Sequence, residues 1–491
     1  MELLLLPAVA AVPLIWTLLT RRWQLTLYLV MLLMVFEGAL RKWFFPGYQA
    51  QIYFLKDVLL LAALAGYIIA RPPPGSHEPL VRHLKALLFI SCCFFLLQIG
   101  NPNSPSTLVG LTGFKNYMLY AVLLFIVPYA FDSTTDLIEK LKFYMLCMIP
   151  VGLLALVQFS LPVDHFLNTY VRHDEGAQLS IAAVTGFGDT NYARTTGTFS
   201  YIGGFGTFLV AMFNLGLAFV IGSHQDFRRN IIPYALLGAT TIAAFTTGSR
   251  GTVIGTLGTL PITLLIAMWA GLIRSQLMIR LAAVGGAIAI GIFYFALDAV
   301  EVFSHRTTEG DEAIARILSP FTQLLEAVQS TPIFGLGIGV NSNSTNSIMG
   351  VKDASEMWWL DGKIFEDETA RVMQDVGLLG FALVYTVRLA LIIWALRMAL
   401  TLRTPILKAL SVSIATFYIF HLPSQVIFNP TAHLYVWFAA GLLFAMHRFD
   451  APRSVSTSQP YPDGHVVLQA SPVASAASSA DRLARSHNPQ L

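Results

Sequence analysis

The sequence contains little charge and little cysteine. Charged residues make up 12% of its 491 positions, about half the share found in an average soluble domain. The net charge of +3 is too small to favour nucleic acid as a partner. The three cysteines, Cys92, Cys93 and Cys147, all lie inside apolar stretches. We therefore expect neither a disulfide framework nor a cysteine metal site.

Long apolar stretches take the place of charge. Hydrophobic residues make up 55% of the chain, its mean hydropathy is +0.63, and the apolar blocks are each about long enough to cross a bilayer. Because lipid offers no partner to an unpaired backbone group, the blocks predict an all-α fold, a polytopic bundle of about 12–13 transmembrane helices. The predicted spans are 3–20, 24–40, 50–70, 86–99, 114–131, 143–162, 199–221, 231–247, 252–272, 281–298, 376–396, 409–428 and 434–447.

Lysine and arginine predict the orientation of the spans. They recur in alternate short connections, whereas the other short connections contain few of them. The positive set comprises Arg21, Arg22, Arg71, Arg82, Lys85, Lys140, Lys142, Arg228, Arg229, Arg274, Arg280, Arg397, Arg403, Lys408, Arg448 and Arg453. Because positive connections stay in the cytoplasm, we expect the N-terminus outside and the C-terminus inside. No basic segment precedes the first apolar run, which favours a retained helix over a signal peptide.

Two long connections, 163–198 and 299–375, are then expected outside the cytoplasm. Connections of this length are usually functional or disordered. The second contains an amphipathic stretch from Asp311 to Ser330, which predicts a helix broken near Pro320.

The composition changes after the last span. The tail over 448–491 is rich in Ser, Ala, Pro and Gln, which predicts a disordered cytoplasmic segment. Residues 1–447 are expected to form the transmembrane bundle together with its long external loops.

Charged residues inside the first spans form one candidate site. Glu37 and Arg41 are four residues apart and share a helix face, and Lys42 follows directly. A carboxylate inside a membrane span is costly and is usually paired. The cluster is either an ion pair that fixes the helix end or a cationic group that faces an anion. Lys56 and Asp57 predict a second intramembrane pair, which can also bond to the Glu37 group.

Two arginines lie in predicted external connections. Arg194 ends the first long loop within Arg194-Thr-Thr-Gly-Thr-Phe199, just before a helix. Its guanidinium can snorkel to lipid phosphate or hold a diphosphate through paired hydrogen bonds, and the following helix N-terminus favours an anion. Arg250 lies in a tight turn between Gly248 and Gly251. It is either an interfacial arginine or a second anion ligand, because glycine lets backbone approach a ligand closely.

The second long loop contains a glycine-rich segment. Pro332 to Gly339 lacks both the Lys-Ser/Thr of a nucleotide-binding loop and the Rossmann spacing. We therefore interpret it as a flexible turn and expect no nucleotide.

An acidic segment follows in the same loop. Glu366, Asp367 and Glu368 precede Arg371, and the pattern Gly-Leu-Leu-Gly then opens the next span. The carboxylates suit a solvated face, a general base or a metal site. Because no zinc or DxD pattern accompanies them, we expect no metal.

Taken together, these motifs resemble the O-antigen ligase and polymerase superfamily, bacterial membrane proteins that join lipid-diphosphate-linked glycans. The resemblance covers about residues 110–447 and lies in the order of short motifs. These are Arg194 to Phe199, Ser249-Arg250-Gly251, Pro332 to Gly339 and Gly377 to Gly380. It implies a helical bundle with a large, partly helical periplasmic loop, similar to GT-C glycosyltransferases.

The resemblance also implies a chemistry. The donor would be a glycan on undecaprenyl diphosphate in the bacterial inner membrane, an acceptor hydroxyl would attack its anomeric carbon with inversion, and undecaprenyl diphosphate would leave. Arg194 and Arg250 match the family's external arginines, which hold the diphosphate and stabilise the leaving charge; Arg41 and Lys42 are further candidates for it. No cofactor is expected, and a flippase and a chain-length regulator are the expected protein partners.

The chain departs from the family's ligases at one place. Ligases carry a His-Asn pair shortly before the Gly-x-x-Gly, where this chain has Glu366-Asp367-Glu368. Glu366 or Glu368 is then the candidate base, with Arg371 in support, because a carboxylate of raised pKa can accept a hydroxyl proton.

The departure favours a polymerase of exopolysaccharide, O-antigen or capsule repeats. A ligase that moves finished glycan to lipid A-core or protein is the first alternative. A lipid-linked oligosaccharide flippase, another transporter or a membrane scaffold are alternatives from other classes. Transport is disfavoured because the candidate cations gather on one predicted side rather than along the bundle interior.

Overall fold

The protein is a bundle of helices, described by a computed structural model. The described residues are 12–13, 15–17, 20–70, 79–171, 179–181, 184–187, 190–223, 231–273, 310–351, 356–360 and 362–450. Within them, seven helical segments are long and apolar enough to cross a membrane. The seven are Trp23–Phe44, Pro46–Ala70, Thr107–Tyr129, Thr134–Ser160, Ile202–Gly222, Arg250–Trp269 and Glu368–Thr401.

Most of the described chain is α-helix. The helices are α1 (Trp23–Ala39), α2 (Gln49–Ala70), α3 (Pro79–Gln98), α4 (Thr107–Met118), α5 (Leu123–Ile126), α6 (Thr134–Met145), α7 (Met148–Ser160), α8 (Ile202–Gly222), α9 (Ile231–Thr246), α10 (Arg250–Trp269), α11 (Gly310–Ser330), α12 (Asn343–Met349), α13 (Glu368–Thr401), α14 (Pro405–Phe420) and α15 (Pro430–Asp450). A π-helical turn, Leu40–Phe44, extends α1, and serine side chains cap α4, α6 and α10.

The apolar stretches predicted most of these helices. Most predicted spans overlap one described helix, whereas 114–131 falls on α4, α5 and the 3-10 turns beside them and 143–162 falls on α6 and α7. Span 3–20 lies mostly, and 281–298 entirely, outside the described residues. Helices α3 and α15 extend beyond the short spans predicted for them, because a helix continues through polar residues that an apolar pattern excludes.

The first long loop departs from the all-α expectation. It contains two antiparallel hairpins, β1 (Thr169–Val171) with β2 (Leu179–Ile181) and β3 (Val184–Phe187) with β4 (Thr190–Ala193). The N–H of Val171 also donates to the carbonyl of Ser200 at 3.1 Å, which ties the first hairpin to the segment before α8.

Helix α8 lies at the centre of the bundle. In its most apolar 18-residue stretch 83% of the residues are buried, against 33% in that of α13, and it packs against α9, α10 and α14. The packing against α10 is close, since a Cβ on Gly206 would lie 2.4 Å from Thr252 Oγ1. Because α8 is held at the centre, its first turn lies at the middle of one end of the bundle.

One end of the bundle collects the longer connections. We name it the loop face; it comprises the described residues of 40–48, 99–106, 161–201, 247–249, 331–367 and 421–429. Bonds between connections hold it together: Lys42 Nζ donates to Thr196 Oγ1 at 2.9 Å, and Asn101 Nδ2 donates to the carbonyl of Gly335 at 3.3 Å. The opposite end carries positive residues, where Arg448 donates to the carbonyl of Phe131 at 2.6 Å.

The glycine-rich segment is packed rather than flexible, so that interpretation is wrong. Helix α13 is broken at Gly377, whose φ of 66° and ψ of −170° are not helical. The N–H groups of Leu336 and Gly337 donate to the carbonyls of Gln374 and Asp375 at 2.8 and 2.9 Å. The break is therefore filled by the backbone of the segment, which satisfies groups that a helix interruption exposes.

Two boundaries in the second long loop also differ from prediction. Helix α11 runs from Gly310 to Ser330 through Pro320 as one element rather than breaking there. Helix α13 begins at Glu368, before the predicted span at 376–396, because its first two turns follow directly on the loop face and are not apolar enough for that pattern.

Candidate functional site

Two adjoining clefts open at the loop face. The α8 cleft has a cavity volume of about 160 Å³ and lies beside the first turn of α8, and the α12 cleft has a cavity volume of about 210 Å³ and lies beside α12. The two clefts share a wall, formed by Arg41, Tyr53, Asn343, Phe428 and Pro430. The α8 cleft is further lined by Met34, Glu37, Gly38, Lys56, Phe199, Ser200, Tyr201, Gly203, Gly204, Gln425, Asn429 and Thr431.

The first turn of α8 faces the α8 cleft. Gly203 and Gly204 line it, and the N-cap Tyr201 makes no side-chain capping bond within the described structure. The first N–H groups of a helix lack intrahelical partners and carry partial positive charge. Glycine leaves these groups accessible because it has no side chain. The cleft therefore presents N–H donors to an anion.

Close packing brings the end of α1 to the start of α8. A Cβ on Gly38 would lie 2.2 Å from the backbone nitrogen of Ser200 and 2.4 Å from the carbonyl oxygen of Thr198. Only glycine permits this approach. One turn further along, Arg41 Nη1 donates to Ser200 Oγ at 3.2 Å. The guanidinium is thereby held beside the first turn of α8.

A carboxylate links two cations at this position. Glu37 Oε1 lies 3.3 Å from Arg41 Nη1, and Glu37 Oε2 lies 2.7 Å from Lys56 Nζ. The pairing predicted for Glu37 and its link to Lys56 are both present. Asp57 does not pair with Lys56, because it lies 2.6 Å from Lys115 Nζ instead.

The region holds more cations than carboxylates. Among the described residues, the network contains the cations Arg41, Lys42, Lys56 and Lys115 and the carboxylates Glu37 and Asp57. In formal charge the four cations exceed the two carboxylates by two, because Glu37 pairs with both Arg41 and Lys56 and Lys42 pairs with no carboxylate. Because burial strengthens electrostatic interactions, this excess favours an anion in the adjoining cleft.

Arg41 is the cation best placed to meet that anion. Its side chain is 1% exposed and lines both clefts, yet its Nε has no hydrogen-bond partner among the described residues. The π-helical turn Leu40–Phe44 positions it, and such turns often lie at functional sites. A buried N–H without a partner costs about 1–3 kcal/mol, so a ligand acceptor at Nε would be stabilising.

The ammonium group of Lys42 bonds to other groups of the protein. Its Nζ donates to Thr196 Oγ1 at 2.9 Å and to the carbonyl of Gly197 at 3.0 Å, and it lies 4.5 Å from the ring of Trp43. Lys42 does not line either cleft. It fixes the segment before α8 instead.

Arg194 and Arg250 belong to motifs that adjoin one another. The N–H of Thr195 donates to the carbonyl of Thr246 at 3.2 Å, and Arg194 Nε donates to the carbonyl of Thr247 at 3.3 Å. Arg250 opens α10 three residues further along. The structure thus brings the two motifs together on the loop face, as their predicted common side requires, but neither arginine lines the α8 or the α12 cleft.

The acidic segment supports the clefts from outside. Glu366 is exposed, and Glu368 is 1% exposed with its Oε1 bonded to Arg388. Glu368 Oε2 accepts from the N–H groups of Val426 and Ile427 at 2.6 and 2.7 Å. Neither glutamate lines a cleft, and the oxygens of Glu368 are already occupied, which does not suit a general base.

Arg371 acts on the wall between the clefts. Its guanidinium lies 4.0 Å from the ring centroid of Phe428 and donates to the carbonyl of Asn341. Arg371 therefore holds an aromatic wall residue through a cation–π contact, and its supporting role toward Glu366 or Glu368 stays a prediction.

Sequence reasoning missed the uncharged lining residues. Ser200, Asn343, Gln425 and Asn429 all line the α8 cleft. Each is a common polar residue without a motif, so the sequence offers no signal for them. Gln425 is positioned by the acidic segment, since its Nε2 donates to the carbonyl of Glu366 at 3.1 Å.

A histidine of the loop face does not replace the one that family ligases carry. His421 is buried, its Nδ1 lies 3.0 Å from the carbonyl of Phe417, and it lines neither cleft. Burial lowers the pKa of His421 to about 4, with the positive charge of Arg388 acting in the same direction. The imidazole is therefore neutral at pH 7.

The described residues contain no group of three or more His, Cys, Asp or Glu side chains that could hold a metal ion. The site is thus built from guanidinium, ammonium, backbone N–H, amide, hydroxyl and aromatic groups. No family model matches the sequence, and no curated protein matches it either.

Proposed function

We propose that the protein is a membrane glycan polymerase. It transfers oligosaccharide repeats from an undecaprenyl-diphosphate donor to a growing exopolysaccharide, O-antigen or capsule chain on the periplasmic face of a bacterial inner membrane, with inversion. One observation carries the proposal: the first turn of α8, which has no side-chain cap, and Arg41, whose buried Nε has no hydrogen-bond partner among the described residues, line the same cleft. Both groups are donors that suit a diphosphate.

The diphosphate occupies the α8 cleft. Its oxygens accept from the first N–H groups of α8 and from Arg41, and the excess positive charge around Glu37 neutralises it. The lipid chain extends into the bilayer beside the bundle. As the glycosidic bond breaks, negative charge grows on the departing diphosphate, and donors already in place stabilise it without reorganising.

Catalysis then depends more on stabilising the departing diphosphate than on a general base. Glu37 is the carboxylate that lines the α8 cleft, and it is engaged by Arg41 and Lys56. Arg194 and Arg250 adjoin the segment before α8 and receive the charged donor as it approaches from the membrane. Their long-range attraction for an anion supports this assignment.

Purified protein in lipid nanodiscs, supplied with an undecaprenyl-diphosphate-linked repeat unit, tests the proposal. Wild type yields a ladder of products when these are sized on a gel. Arg41→Gln lowers the rate about 100-fold, as loss of one preorganised oxyanion donor typically does. Arg194→Ala combined with Arg250→Ala also removes the ladder.

Arg82→Gln provides the matched control, since Arg82 is exposed at the opposite end of the bundle. It retains the wild-type rate. An unchanged ladder in Arg41→Gln contradicts the diphosphate site. Absence of product with the donor, together with lipid movement across vesicles, contradicts the polymerase and supports a flippase.

The alternatives predict different products. A ligase transfers one finished block to lipid A-core or protein and gives a single shift instead of a ladder. A transporter is suggested by the interruption of α13 at Gly377, because broken helices are common in transporters. The interruption is filled by the backbone of Ile333 to Gly337 rather than facing a cavity, which favours the polymerase.

A further inference from the structure

The α12 cleft differs in chemistry from the α8 cleft beside it. Its only charged lining residue within the described structure is Arg41, which it shares with the α8 cleft. Three aromatic rings and a set of neutral polar side chains make up most of the rest. The rings are Tyr53, Phe54 and Phe428, and the neutral polar residues are Asn116, Ser342, Asn343, Ser344 and Ser347.

This composition suits an uncharged ligand with many hydroxyl groups. Serine hydroxyls donate and accept, and asparagine amides do both through separate atoms, so they match the mixed donors and acceptors of a sugar. Aromatic faces bury the apolar C–H side of a sugar ring. Few placed polar groups among apolar walls are typical of small-ligand sites.

The polar groups of this cleft are held in place. Asn116 Nδ2 donates to Ser342 Oγ at 2.9 Å, and Ser342 Oγ lies 2.8 Å from Ser344 Oγ. The preceding residue, Asn341, is fixed by buried Asp375, whose Oδ1 accepts from the backbone N–H at 3.0 Å and from Nδ2 at 2.8 Å. A site fixed in this way loses little conformational entropy when a ligand binds.

We propose that the α12 cleft binds the uncharged acceptor end of the glycan chain, an inference that rests on the proposed function. Arg41 stands in the wall between the clefts, so the diphosphate lies on one side of it and the acceptor sugar on the other. The two clefts adjoin along the lining residues that they share, and there the hydroxyl of that sugar reaches the anomeric carbon next to the diphosphate. The C–O bond to the acceptor forms as the C–O bond to the diphosphate breaks, and the hydroxyl proton leaves to solvent.

Binding without the lipid donor separates this inference from the polymerase itself. The probe is a mixture of neutral oligosaccharides, released by partial hydrolysis from the surface polysaccharide of cells that produce the protein. Saturation-transfer NMR on the full chain in nanodiscs measures its affinity. Ser347→Trp fills the cleft, and we expect it to weaken oligosaccharide binding at least tenfold while binding of undecaprenyl diphosphate stays unchanged.

Asn346→Trp is the matched control. It places the same side chain on the same short helix, but Asn346 does not line the cleft. We expect affinity within about twofold of wild type, since additions outside a contact surface change little. Asn343→Ala is a second variant that removes one amide without filling space, and we expect a smaller loss of affinity.

The possible outcomes distinguish failure of the acceptor site from failure of the polymerase. Wild-type oligosaccharide affinity in Ser347→Trp overturns the acceptor site even if the polymer ladder forms. Oligosaccharide binding that is lost in Ser347→Trp and kept in Asn346→Trp supports the site, and it does so even if no donor yields a ladder, in which case only the polymerase fails. Equal loss in both variants overturns the assignment to this cleft.

Discussion

Single charged residues differ here in whether the protein itself satisfies all of their polar atoms. Arg41 has an unpaired donor at the α8 cleft, whereas the charges of Lys42 and Glu368 are used within the protein. Type and spacing alone cannot separate these roles. Lys42 follows Arg41 directly in sequence, yet Lys42 bonds to the segment before α8 whereas Arg41 lines both clefts.

Glu366 and Glu368 provide a direct test of this division. Glu368→Gln removes the charge partner of buried Arg388 and weakens the bonds to the N–H groups of Val426 and Ile427. We expect a loss of stability of about 3 kcal/mol, because breaking a buried ion pair leaves an uncompensated charge. Thermal unfolding in detergent measures it.

The control is two residues away. Glu366→Gln alters an exposed side chain, and we expect a change within about 0.5 kcal/mol. If Glu366→Gln abolishes glycan transfer without changing stability, Glu366 is the general base. Catalysis then does not depend mainly on stabilisation of the leaving diphosphate.

Helix α13 and the glycine-rich segment act as one element. The first two turns of α13 carry Gln374 and Asp375, and the break at Gly377 lets N–H groups of the Pro332–Gly339 backbone donate to their carbonyls. Asp375 then fixes Asn341 at the edge of the α12 cleft. The element therefore ties the position of helix α13 to that of Asn341, which precedes the α12 cleft residue Ser342.

Gly377→Ala tests that element. The native φ of 66° is unfavourable for alanine, and a Cβ there would lie 2.1 Å from the carbonyl oxygen of Ile333. We expect a loss of stability of about 2–4 kcal/mol from strain and displaced backbone. Chemical denaturation followed by tryptophan fluorescence measures the loss.

Gly258→Ala is a control with the opposite sign. Gly258 lies inside α10, and a Cβ there would lie at an ordinary 3.6 Å from Ile254 Cγ2, its nearest atom outside the helix backbone. We expect a gain of up to about 1 kcal/mol from helix propensity. Equal effects of the two substitutions would contradict a strained, backbone-filled break at Gly377.

At the scale of the whole molecule, the sequence predicts the helices of the bundle better than it predicts the residues of the site. Apolar blocks predict helices because every span must bury its backbone bonds, and that requirement is local. The α8 cleft depends instead on Gly38 packing against Ser200 across 162 positions of chain, which no local pattern encodes. The sequence identifies Glu37, Arg41 and Lys56 as candidates only because a charged residue inside a span is rare.

The neutral residues of the site had no such signal. Asn343 and Gln425 are unremarkable in the sequence, and the structure alone brings them to the same cleft as Arg41. The glycines of Pro332 to Gly339 were visible, but a flexible turn and a backbone packed into a broken helix use the same residue type. Distinguishing the two requires the contact partner.

Acid sensitivity of the bundle is the remaining prediction, and it depends on His421. The folded protein holds the pKa of this imidazole at about 4, below the value of about 6.5 in an unfolded chain, because burial penalises the charged form. Between these values the unfolded state binds more protons, so stability is full above pH 6.5 and falls as the pH drops toward 4, by up to about 3 kcal/mol. His421→Gln removes this titration, and we expect a flatter stability curve from pH 7 to 4 when unfolding is followed in detergent at each pH. His83→Gln, on an exposed residue of α3, retains the wild-type slope; identical slopes in all three proteins would show that His421 is not held neutral by burial.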